Sequence, residues 1–199
     1  SEEKNVIKLN ANYLDVIKPA LDKSEKEGKP VISLKISKRK IITGKQTDIL
    51  SPASSLVLNA IKELSKIPDD IALLSPNVLE PMLKLKKDMY NSSMPLQLTE
   101  VLTALSICST TNPMVEKALS NLKKLKYCEA HATYIVENGD LKALKSLKIN
   151  LTCEPEFLSN LDSITVPIAY LFGFAFNSNI SLRSKILSSK SSIPVPDFA

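Results

Sequence analysis

The chain predicts an α/β protein, a three-layer α-β-α sandwich around a mixed sheet of about five strands, and three observations carry that expectation. Short β-branched runs such as Val31–Ile36 and Ile149–Cys153 alternate with longer stretches of helical periodicity, the pattern of a sheet covered on both faces. Ser-Pro pairs that suit a helix start recur at Ser51-Pro52 and Ser75-Pro76. The composition is 44% hydrophobic but only 5% aromatic, with no tryptophan. An aliphatic core of that kind fits helices on a sheet better than an all-β sandwich.

In chain order, residues 10–27 read as a helix with Tyr13, Leu14, Ile17 and Leu21 on one face, Pro19 as a kink and Gly28 as its stop. Val31–Ile36 and Lys40–Thr43, separated by the basic turn Ser37-Lys38-Arg39, form a hairpin signal, and Gly44 to Leu50 reads as a polar loop. Ser51 can accept from the orphan amides of a helix start, and Pro52 at the first helical position gives up a donor that would have gone unused. That helix runs to Lys66. A short apolar strand, Ile71–Leu74, leads to a second Ser-Pro opening and a helix to Tyr90. Helices over Gln97–Ser109 and from Asn112-Pro113 to Lys124 follow. Then come a long strand, Tyr127–Val136, a short helix, Asp140–Leu147, and a last strand, Ile149–Cys153.

Residues 1–158 thus read as one domain, long enough to bury roughly 70% of the surface its unfolded chain exposes. Residues 159–199 read as an extension: an apolar segment, Ile164 to Phe176, and then a Ser-rich, flexible tail from about 178. With Pro167 inside it, the apolar segment falls short of the roughly 20 residues a membrane helix needs. No secretory signal is legible, and the sequons at Asn91, Asn150 and Asn179 read as chance matches.

The formal net charge of +5 comes from lysines interleaved with acids along helices, a solvated surface rather than a nucleic-acid platform, which would also need interleaved aromatics. Cys108, Cys128 and Cys153 are three in number and unevenly spaced. They form no disulfide framework and no CxxC pair, so a cytoplasmic, reducing location is expected. A single histidine, His131, excludes any metal site or acid/base dyad that needs two imidazoles from this chain, and no metal ligand set is expected.

Two places could carry chemistry. Thr43, Gly44, Lys45 and Thr47 precede the helix start at Ser51, and Ser75 with Asn77 opens the next helix. Two helix N-termini side by side would favour an anion or phosphate, although the GxxxxGK[ST] spacing of a P-loop is absent. Ordinary capping is the competing reading. The second place is Glu129 and His131, which share a strand face while Cys128 points away. They form a candidate acid/base couple beside Thr133, or else a hydrogen-bonded structural histidine. Cys108 and Cys153 read as core or near-core residues, and Asn112-Pro113 after Thr111 as a cap.

The element order resembles the cytidine-deaminase-like three-layer fold, whose two meeting helix starts hold zinc through H-x-E and P-C-x-x-C. Here those positions read Leu50-Ser-Pro-Ala53 and Leu74-Ser-Pro-Asn77, so no deaminase activity is implied.

Several segments taken together, in order, carry a closer resemblance. They are Ile42-Thr-Gly-Lys45, Ser54-Ser-Leu-Val-Leu-Asn-Ala-Ile-Lys62, Leu74-Ser-Pro-Asn-Val-Leu-Glu-Pro-Met82, Glu100-Val-Leu-Thr-Ala-Leu-Ser-Ile-Cys108, Thr111-Asn-Pro-Met114, Glu129-Ala-His131 and Lys148-Ile-Asn-Leu-Thr-Cys-Glu-Pro155. Over about residues 28–157 they resemble the C-terminal part of domain-of-unknown-function family 1846, whose members are mostly bacterial. The resemblance implies that the chain is the C-terminal portion of a much longer protein, as a fragment or a shortened relative. A Gly-Pro-Gly-Ser-Gly-Lys stretch that goes with the family's upstream region is absent, and with it any support for a nucleotide-dependent activity. The family's Glu-Ala-His-Ser-Thr reads Glu129-Ala-His-Ala-Thr133 here, and members usually stop near the position of Pro155. Family membership implies relatives without supplying a reaction or a cofactor, which stays unknown.

The functional expectation is an association module that packs on an upstream region or on a second copy of itself, with a candidate anion pocket at the Ser51 and Ser75 helix starts. The alternative is a hydrolase or transferase acting on a phosphorylated or nucleotide substrate through Glu129, His131, Lys45 and Thr111.

Overall fold

The computed structural model describes residues 11–91 and 93–154, with side chains from Asp15 onward. The expected extension at 159–199 lies outside the described residues. Helix α1 (Ala11–Glu27) contains Pro19 and ends at Gly28, whose φ of +61° is the left-handed conformation that lets glycine stop a helix. Strands β1 (Val31–Ser37) and β2 (Lys40–Lys45) form the antiparallel hairpin, with Ser33 opposite Thr43. Helix α2 (Pro52–Ser65) opens as its sequence predicts, the Ser51 hydroxyl accepting from the Ser54 amide.

Helices α3 (Pro76–Tyr90), α4 (Leu98–Ser109) and α5 (Pro113–Ser120) follow. The Asn112 side chain caps α5 by accepting from Met114 and Val115, and the last turn of the expected helix tightens into a 3-10 segment, Asn121–Leu125. Strand β3 (Glu129–Ala132), helix α6 (Asn138–Ser146) and strand β4 (Asn150–Cys153) complete the described fold.

Four strands, not five, form the sheet among the described residues, in the order β2-β1-β3-β4. Strand β3 runs antiparallel to β1 and parallel to β4, with α6 as the crossover. The segment counted as a fifth strand, Ile71–Leu74, makes a turn, with the Ile71 amide donating to the Pro68 carbonyl. Its leucines, Leu73 and Leu74, plug the core instead of pairing with a neighbour. The expected ten-residue strand around His131 shrinks to four because its backbone turns at both ends. Tyr127 takes a positive φ of 63°, and after Thr133, whose amide still donates to the Val31 carbonyl, the chain leaves the ladder.

Side chains alternate between the two faces, and the faces differ. One presents Ile32, Leu34, Ile42, Ala130, Ala132, Leu151 and Cys153, all buried, against α2 and the helices packed around it, α4, α5 and α6. Fully buried side chains such as Ile32 and Leu34 contribute about 1.5–3 kcal/mol each. The other face presents a polar row, Thr43, Ser33, His131 and Thr152, which the register sets side by side across all four strands. Helix α1 lies over β1, β2 and β3 on that side.

Candidate functional site

The polar row is closed from above by α1. The Ser33 hydroxyl donates to the Val16 carbonyl, Lys23 donates to Thr43 Oγ1 at 2.8 Å, and Thr133 Oγ1 donates to Ser24 Oγ at 3.3 Å. His131, only 2% exposed, lies in the middle. Its Nδ1 is 2.8 Å from Thr152 Oγ1, and Thr152 Oγ1 is also 3.2 Å from the Ala130 carbonyl. The other ring nitrogen, Nε2, faces Glu154 Oε1 at 3.3 Å, an ion pair when the imidazole is charged.

Glu129 shares the His131 face but stands at the other end of the strand, opposite Lys35. Burial raises its carboxyl above the ordinary range, opposed by the Lys35 charge. Lys35 is itself paired with Asp15 on α1. Glu129 thus lies beside Lys35, and His131 between Thr152 and Glu154. Thr111 is exposed at the end of α4, its hydroxyl directed to the Cys108 carbonyl.

The residues of the expected anion pocket are spread over several local structures. Lys45 pairs with Glu27 at 2.7 Å, and this pairing holds the Glu27 carboxyl below its ordinary value. Thr47 accepts from the Leu50 amide at 2.9 Å and shapes the loop. Gly44 is pressed against α2 so closely that a methyl in its place would collide with the Leu56 and Pro52 backbone. The Ser51 hydroxyl is 2.9 Å from that of Ser54. Ser75 opens α3 without a side-chain cap bond, and both it and Asn77 are exposed.

The starts of α2, α4 and α6 meet, and a carboxylate of the chain itself lies between them. Asp140, in the first turn of α6, accepts from the Leu98 amide at the start of α4 at 2.7 Å, and the Ser51 hydroxyl also favours its charged form. Burial is the largest influence and raises the Asp140 carboxyl above its ordinary value. Around it, Gln97 Nε2 donates to Glu137 at 3.0 Å. Glu100 accepts from the Gln97 amide and from Lys86, each at 2.6 Å. Lys86 also donates to the Pro95 carbonyl at 2.7 Å. Gly139 leaves room for the Gln97 side chain, which any Cβ there would strike. Tyr134 is buried nearby, its hydroxyl without a hydrogen-bond partner among the described residues. Burial, reinforced by the Asp140 and Glu137 charges, pushes that hydroxyl well up.

Sequence reasoning missed this cluster. The Glu100 spacing three residues after Gln97 is a capping-box signal, and the helical phase of Lys86, on the same arc as Leu79 and Leu83, marks it as inward-facing. Asp140 gave no local signal, since its partner is 42 residues away.

Cys108 is half-buried against the core, Cys153 is buried, and all three cysteines are free. Burial raises the thiols of Cys128 and Cys153, which disfavours the nucleophilic thiolate. Among the described residues, no group of three His, Cys, Asp or Glu side chains could hold a metal ion, and no helix is long and apolar enough to cross a membrane.

The family model described as domain of unknown function DUF1846, C-terminal, matches residues 12–161. A UPF0371 protein of Clostridioides difficile (strain 630) is 41% identical over 159 residues, covering 79% of this chain and 31% of the relative. One from Clostridium botulinum (strain Eklund 17B / Type B) is 42% identical over 153 residues, covering 72% and 30%. One from Clostridium tetani (strain Massachusetts / E88) is 35% identical over 159 residues, covering 79% and 31%. The chain thus spans under a third of the length of the curated relatives it matches.

Proposed function

Because this chain belongs to the DUF1846 family, matching its C-terminal domain, we propose that it is an association module that packs against the upstream region of a longer protein. The observation that carries this reading is the coverage: a domain with its own core accounts for only 31% of the C. difficile relative. Its polar groups support the same reading, since Lys45, Thr47, Ser51 and His131 all have partners within the domain. We read the positive spot at the helix starts as the seat of Asp140, and an added phosphate would have to compete with that carboxylate. A cytoplasmic location suits the three free thiols.

Calorimetry of the intact C. difficile relative tests the proposal. A packed module melts together with the rest of the chain in one transition, above the melting temperature of its excised C-terminal third. Independent melting of that third, at the temperature it shows alone, would overturn the reading.

A further inference from the structure

Helix α3 carries more apolar surface than the described domain covers. At 100° per residue, Leu79, Leu83 and Lys86 form one row and Val78, Met82, Leu85 and Met89 a second, spaced four, three and four residues apart as in a helix-pairing seam. The first row faces the body: Leu79 and Leu83 pack on the core, and the buried Lys86 reaches the Pro95 carbonyl and Glu100. That anchor fixes the roll of the helix, so α3 cannot turn Leu85 and Met89 inward without breaking both bonds. The second row begins on the core through Val78 and Met82 and leaves it in the C-terminal half, where Leu85 is 61% exposed and Met89 66%; Tyr90, next in the chain but in phase with the first row, is 59% exposed.

We propose that the exposed end of α3, around Leu85, Met89 and Tyr90, is the seat on which the upstream region of the longer family members lays an apolar segment, one face of an amphipathic helix. The inference rests on the reading of the chain as an association module and names the surface that module uses. The exposed side chains offer on the order of 300–400 Å² of apolar area, well below the roughly 800 Å² per partner of a stable complex between separate molecules. A second copy, carrying the same +5 charge, is therefore a poor occupant. A segment of the same polypeptide acts at an effective concentration in the millimolar range and needs much less area. In the C. difficile relative, the part outside the match is more than twice the length of the part inside it.

Hydrogen exchange and sedimentation test the proposal. In this 199-residue chain the amides of Val78–Tyr90 exchange fast, and in the intact C. difficile relative the aligned segment exchanges at least tenfold more slowly, while the β1 and β3 amides are equally protected in both. The chain alone sediments as a monomer, and the Leu85→Glu, Met89→Glu double variant does the same. Equal exchange of α3 in the two proteins, with protection gained on another face such as that of Ile107, would overturn the α3 seat and leave the module reading standing. No gain of protection anywhere in the domain would overturn both. A wild-type dimer that the double variant dissociates would assign the row to a second copy and overturn the inference.

Discussion

The two faces of the sheet hold their helices by different means. Beneath α2 the contacts are aliphatic side chains at close-packed distance, with Gly44 letting the α2 backbone approach the strand directly. Beneath α1 a small apolar set, Val16, Ile17, Ala20 and Val31, is buried, and beside it the contacts are hydrogen bonds and ion pairs: Ser33 to Val16, Lys23 to Thr43, Asp15 to Lys35 and Glu27 to Lys45. Apolar burial is non-directional and grows with the area removed from water, whereas each polar contact is worth only about 1 kcal/mol net and depends on both partners staying in place. The α2 side is therefore expected to be the stable half of the domain, and the α1 side the half that opens first.

The comparison breaks most visibly on the apolar face. Leu34→Ala removes a fully buried side chain from the centre of the sheet and should cost about 3 kcal/mol, lowering the melting temperature by roughly 10 °C. If the loss were no larger than that of a polar-face substitution, the ranking of the two faces would be wrong.

Asp140 comes next, because it joins α4 and α6 at the rim of the apolar side. Asp140→Ala leaves the Leu98 amide without its acceptor and should cost roughly 1–3 kcal/mol in urea denaturation. Asp140→Asn keeps an acceptor and removes the buried charge, so the two variants separate hydrogen bonding from ionisation. The folded carboxyl lies above its ordinary value of 3.8, chiefly through burial, so the folded state binds the proton more tightly than the unfolded one. Its contribution is fully present below the unfolded carboxylate range and is lost as pH rises through the raised folded value. Across that window, stability should fall less in Asp140→Asn than in wild type. A steeper fall in the variant would contradict the assignment.

Where the sequence was legible, the signal was local. Gly28 ends α1, Ser51-Pro52 opens α2 and Asn112-Pro113 opens α5, because capping needs only residues three or four apart. The apolar and polar faces could be read from period-two alternation in β1 and β3. The misreadings came from contacts between distant residues. Ile71–Leu74 has the composition of a strand, but a strand also needs a neighbour, and here the leucines enter the core from a turn. In the candidate site, Glu129 and His131 were correctly placed on one face. Their different partners, Lys35 on one side and Thr152 with Glu154 on the other, depend on a register that no local pattern encodes.

On the polar face, Ser33→Ala removes the bond to the Val16 carbonyl, which is an extra acceptor site on a helical carbonyl rather than an obligatory pairing. The expected cost is about 1 kcal/mol, with faster hydrogen exchange confined to α1. The smallest effect is expected at Lys45. Its pairing with Glu27 lies at the solvent edge, where screening and side-chain entropy cancel most of the attraction, so Lys45→Ala should leave the melting temperature unchanged within error. A clear drop would mean that the rim ion pairs, and not the buried hydroxyl contacts, keep α1 on the sheet. The polar face would then lose stability with added salt, while the apolar face would not.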